Sequence, residues 1–176
     1  MPPRTVPLHH TLVGSQVYWD ATDVVTFLHR VADAWTRDQT GNAEHAVDNE
    51  VRAAVAARLN QIAVDLDAEA MQRMDWWASY RPGVPMPTEP ESALPGAARV
   101  RTAVVHVFGA RHLHFSSLDL SAFLRAEADR TRQEHERLFD REIAAGLTAR
   151  YLVDTADQLE LEALMALGPR DEPQQP

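Results

Sequence analysis

Three histidines fall within nine positions around one glycine in VVHVFGARHLHF, residues 104–115: His106, His112 and His114. The His-x-His spacing lets one strand offer two imidazoles to one metal ion. Three neutral imidazoles with an open fourth position suit a zinc that activates water, the chemistry of a hydrolase or lyase. Whether they converge depends on register, because side chains alternate faces along a strand. A two-residue turn at Gly109-Ala110 pairs Val107 with His112 and leaves His106 on the other face. A three-residue loop, Gly109-Ala110-Arg111, pairs Phe108 with His112 and His106 with His114. Val105, Val107, Leu113 and Phe115 then share one apolar face, and His106, Phe108, His112 and His114 the other. That register separates the residue types better, and it is the expected one. His9, His10 or a distant carboxylate would supply a fourth ligand. The competing structure is a helix over 99–109 stopped by Gly109, and the competing role is a solvated hairpin face that binds nothing.

The placement of charge gives the same segment a second chemistry. The chain carries 26 acids against 17 basic residues, all of them Arg, for a formal net charge of −9. No Asp or Glu occurs in residues 1–19 or 92–118, which hold Arg4, Arg99, Arg101 and Arg111 with five of the eight histidines. Arg99, Arg101 and Arg111 beside three histidines could receive a phosphate, a carboxylate or an acidic protein surface. A sheet packed under helices also excludes carboxylates without any function. The overall charge opposes binding to nucleic acid. Arg in place of Lys, with abundant Ala, is what a high-GC genome writes, such as that of an actinobacterium or its phage.

The elements that would position these residues are mostly helical. Residues 10–19 favour a strand with Val13, Val17 and Trp19 on one parity, and 103–115 the rest of a small antiparallel sheet. WDATDVVTFLHRVADAW (19–35) reads as a helix capped by Asp20 or Thr22. Over 43–80, Val47, Val51, Val55, Leu59, Ile62, Leu66, Ala70 and Met74 recur at three and four residues, one face of a helix roughly 55 Å long. Residues 116–145 read as a second long helix, capped by Ser116 or Ser117 and stopped by Gly146. A last helix covers 148–168. The fold class is therefore mainly α, two long helices and two shorter ones with a small antiparallel sheet, and the long helices are candidates for a homodimer interface. Residues 81–96, with five prolines and two glycines, form a linker or long loop. One globular domain over 1–168 and a disordered tail at 169–176 are expected, and no internal repeat stands out.

Trp76, Trp77 and Tyr80 close the long helix where it enters the Pro-rich loop. Such aromatics anchor interfaces or staple a loop to its own domain. In EHAVDNE, Glu44, His45, Asp48 and Glu50 suit a helix start. His135 lies between Glu134 and Glu136, but residues adjacent in a helix do not face one another. His29 reads as a boundary residue. Nucleophile elbows, phosphate loops, dinucleotide turns and calcium loops are absent, which points away from a cofactor enzyme. No stretch approaches the length of an apolar membrane span and MPPRTVPLHH lacks the apolar core of a signal peptide, so the cytoplasm is the expected compartment. The chain has no cysteine, which excludes disulfides and thiolate metal sites. The leading expectation is a non-enzymatic accessory protein that holds an acidic partner or anion through Arg99, Arg101 and Arg111, with Trp76, Trp77 and Tyr80. Its rivals are a metal-dependent enzyme on His106, His112 and His114, using zinc or another divalent metal, and an acidic inhibitor that mimics nucleic acid.

Overall fold

A computed structural model describes residues 8–37, 46–135 and 139–167. Arg4, Glu44, His45, Glu136 and the tail at 169–176 lie outside those residues, as do the side chains of Asp48, Glu134 and His135. The chain runs β1 (His10–Val13), β2 (Gln16–Asp20), α1 (Ala21–Arg37), α2 (Ala46–Ala78), β3 (Thr102–Val107), β4 (Ala110–Ser116), α3 (Ser117–His135) and α4 (Phe139–Leu167). The strands form one antiparallel sheet in the order β1-β2-β4-β3. This is the expected class, mainly helical with a small antiparallel sheet, but three local readings change.

Residues 10–19 are a hairpin rather than one strand. Gly14 takes φ 63° at the turn, and Val13 pairs with Gln16. Val13 therefore leaves the face that Val17 and Trp19 share. The second hairpin turns at Phe108-Gly109, one residue earlier than either register weighed from the sequence. Val107 pairs with Ala110, His106 with Arg111, Val105 with His112 and Ala103 with His114. Phe108 and Gly109 take φ 48° and 84°, as a two-residue turn with both central residues left-handed requires. Because such a turn matches strand twist, its geometry outweighed the tidier separation of polar and apolar side chains. Gly146, the expected stop, lies inside α4. A Cβ there would meet nothing, so the glycine costs helix stability without breaking the helix. The two longest helices are thus α2, with 33 residues, and α4, with 29.

Directly paired residues share a sheet face. Val17, Trp19, Leu113 and Phe115 lie on one side, buried with Leu28, Leu59, Ile62, Leu66, Leu120, Leu124 and Leu152 from all four helices. The stripe on α2 is used inside the chain, as is most of that on α4; among the described residues Val64 and Met71 on α2 and Ile143, Leu147, Leu161, Leu164, Met165 and Leu167 on α4 are left outside. Among the described residues no helix is long and apolar enough to cross a membrane.

The Pro-rich loop is tied down along α2. Glu69, 0% exposed, sits in the apolar stripe and accepts from Arg73 Nε at 2.7 Å, Ser92 Oγ at 3.0 Å and the Ala93 N–H at 2.6 Å. Arg73, 3% exposed, also pairs with Glu89. Gln72 donates to the Glu91 carbonyl, and Leu94 enters the core. A buried carboxylate is stable here because each oxygen has donors.

The element order is ββαα written twice, a repeat that no fixed sequence period reveals. Trp19 pairs with Phe115 at the centre of the sheet, 96 positions on (115 − 19). The same offset sets Asp23 on Asp119, Phe27 on Phe123, Leu28 on Leu124 and Ala32 on Ala128. An offset of 93 (149 − 56) sets Ala56, Leu59, Ala63 and Leu66 on Ala149, Leu152, Ala156 and Leu159, all buried. Even the hydrogen bonds repeat. The Asp20 N–H donates to the His9 carbonyl and the Ser116 N–H to that of Arg101, while His9 N–H and Arg101 N–H donate to Asp23 and Asp119.

Candidate functional site

The sheet face turned away from the core carries a cleft of about 510 Å³, lined by His9, Thr11, Asp20, Asp23, Val105, Val107, His112 and His114 among others. β2 runs straight into α1, so Asp20 is both the last strand residue and the helix cap. Its Oδ1 accepts from the N–H groups of Thr22 at 2.9 Å and Asp23 at 3.2 Å. Its Oδ2 faces His112 Nδ1 at 3.3 Å and His114 Nε2 at 4.0 Å. His114 is 5% exposed, and burial holds its imidazole below the ordinary pKa range, hence neutral near pH 7. His9 lies at the rim with its Nδ1 2.7 Å from Asp23 Oδ2.

The structure brings His112 and His114 together and separates His106 from them. His106 pairs with Arg111, one residue out of phase, and so occupies the opposite face. The convergence expected of a three-residue loop is lost with that loop. Among the described residues no group of three or more His, Asp or Glu is arranged to hold a metal.

The three arginines also differ in their surroundings. Arg101 forms a two-pronged pair with Asp119, Nε to Oδ2 at 2.7 Å and Nη2 to Oδ1 at 3.0 Å. Burial alone would raise the Asp119 pKa, but the hydrogen bonds and charge of Arg101 outweigh it and hold the carboxyl below its ordinary range. Arg99 and Arg111 are exposed and make no ion pair among the described residues. Trp76 donates its Nε1–H to the Pro87 carbonyl at 3.0 Å and meets Trp77 edge-on at 5.1 Å. Trp77 packs on the core, and Tyr80 is exposed. Trp76 therefore ties the loop to α2 through Pro87, the alternative weighed beside an interface, while Trp77 packs inward.

Sequence reasoning missed two features. Asp20 enters the site only through the β2–β4 pairing, 94 residues from His114 in sequence (114 − 20). Phe108 was placed among the histidines of a strand face, whereas it stands at the tip of the hairpin, 105% exposed. Around it His106, Val107, Ala110 and Arg111 are exposed too, so the end of the β3–β4 hairpin projects as a finger. The chain matches no protein-family model, no curated protein and no solved structure.

Proposed function

We propose that this chain is a non-enzymatic binding protein that holds an acidic protein partner on its β3–β4 finger. Phe108 is the anchor, and Arg111, with Arg99 on the approach to β3, supplies the charge. The observation that carries this reading is Phe108 itself. A bulky residue at φ 48° is strained, and the hairpin turn favours Asn or Gly there. Its ring makes no compensating burial within the chain. Strain held at a fully exposed aromatic is what an interaction anchor requires, because the ring's area is buried only on binding. Arg111 flanks the turn and Arg99 stands at the far end of β3, neither in an ion pair among the described residues, and their charge favours an acidic partner surface.

Trp76, Trp77 and Arg101 are engaged within the fold and drop out of the contact surface in this proposal. The test is a pull-down from the native host with chain carrying Phe108→Ala, Arg99→Ala and Arg111→Ala singly and together. Phe108→Ala should weaken recovery of the specific partner roughly 30-fold, the 2 kcal/mol of an interface anchor. The arginine variants should do so less and in a salt-dependent way. Unchanged recovery by the triple variant ends the proposal.

A further inference from the structure

The internal repeat supplies a control for the cleft, because both halves build the same fold with different residues at matched positions. Where the first half has His9, Asp20 and Asp23, the second has Arg101, Ser116 and Asp119. Arg101 closes on Asp119, so that set is formally neutral; in the other, one aspartate replaces a serine and a histidine the arginine, for a formal −2 with histidine counted as uncharged. His114 likewise stands where the first half has Tyr18, and His112 where it has Gln16. The fold therefore does not require the His/Asp cluster. It forms without one in its own second copy.

Hydrogen-bond roles say what the cluster lacks. His114 Nδ1 lies 3.3 Å from the His112 carbonyl, which can only accept, so Nδ1 carries the proton. In the neutral ring Nε2 is then an acceptor. The side chain is 6% exposed, and its Nε2 stands 4.0 Å from Asp20 Oδ2, beyond hydrogen-bond reach. Asp20 Oδ2 meets His112 Nδ1 at 3.3 Å on one side, while on the other it and the His114 Nε2 acceptor face each other across a gap that neither can bridge. A group with several N–H donors and a positive charge satisfies both at once.

The geometry points to a binding site in this cleft for an alkylguanidinium or alkylammonium group. Its donors reach Asp20 Oδ2 and His114 Nε2, and Asp23 adds charge. Val105 and Val107 lie along the alkyl stem. In the second half the Arg101 guanidinium sits on Asp119, the aspartate matched to Asp23, so the same corner of the fold already seats a guanidinium on a carboxylate. The volume of about 510 Å³ suits a small ligand, and the chemistry is shared by a free metabolite and by an arginine side chain of another protein.

The experiment is a titration at pH 7.5 and constant ionic strength with n-butylguanidinium, following the imidazole signals of His112 and His114 by NMR. Saturable shifts with a Kd on the order of 1 mM, and at least tenfold weaker binding by Asp20→Asn, uphold the site. Asn keeps the helix cap, so this variant removes charge rather than the fold. Blocked acetyl-arginine amide binding as tightly or tighter upholds it and assigns the cation to a protein side chain. Weaker binding of the blocked residue upholds a free small molecule. No saturable shift, equal binding by Asp20→Asn, equal shifts with sodium butyrate, or one zinc ion per chain displacing the guanidinium overturns it. Partner recovery through Phe108 is a separate readout, on the projecting finger, so either proposal can fail alone.

Discussion

Replacing Phe108 with Asn should make the protein more stable and its partner binding worse. A left-handed conformation costs a side chain with a Cβ about 1–2 kcal/mol, and Asn tolerates it through local hydrogen bonding. Phe108 has φ 48° and a ring fully in solvent, so no burial is lost to set against the relief of strain. The expected gain is about 1 kcal/mol, which for a chain of 176 residues raises Tm by roughly 2–4 °C. Phe108→Gly should gain less, about 0.5 kcal/mol, because glycine also enlarges the entropy of the unfolded chain. Urea unfolding followed by circular dichroism, with calorimetry, reads both. An Asn variant less stable than the parent would mean that the ring makes a contact worth more than its strain. The argument for an outward anchor would then be wrong.

Three further outcomes follow from other parts of the fold. Glu69→Leu leaves Arg73 buried without its main partner and frees Ser92 and Ala93; it should cost about 3–5 kcal/mol in urea unfolding and expose residues 81–96 to protease, and a loss under about 1 kcal/mol would mean the clamp is dispensable. His114 has a depressed pKa, so the unfolded state binds the proton more readily; its contribution is intact above the ordinary value of 6.5 and is lost as pH falls toward the folded value. His114→Tyr, the residue of the matched position, should therefore flatten the stability profile between pH 7.5 and 5.5, and an unaltered slope there would assign it to other groups. Gly146→Ala should stabilise by roughly 0.5–1 kcal/mol, since the position is helical, exposed and open; destabilisation measured by thermal melts would show that α4 needs a break there.

The sequence by itself determined the mainly helical class, because apolar spacing over 46–78 and the caps at Asp20 and Ser116 are local signals. It also located the acid-free segment that became β3 and β4. What it left open were quantities set by geometry across distance. The hairpin register was undecided because a third loop residue would bring His106 to the face of His112 and His114, and only the left-handed pair Phe108-Gly109 fixed a two-residue turn. The cleft depends on β2 lying against β4, which brings Asp20 to His114 and has no local trace. The repeat was hidden because its offset changes from 92 (101 − 9) through 96 to 93 as hairpins and connections differ in length, while the buried positions stay matched. Local propensity and periodicity are written residue by residue. Register, pairing and the meeting of distant charges come from the sum of many weak contacts, and tertiary packing alone selects among them.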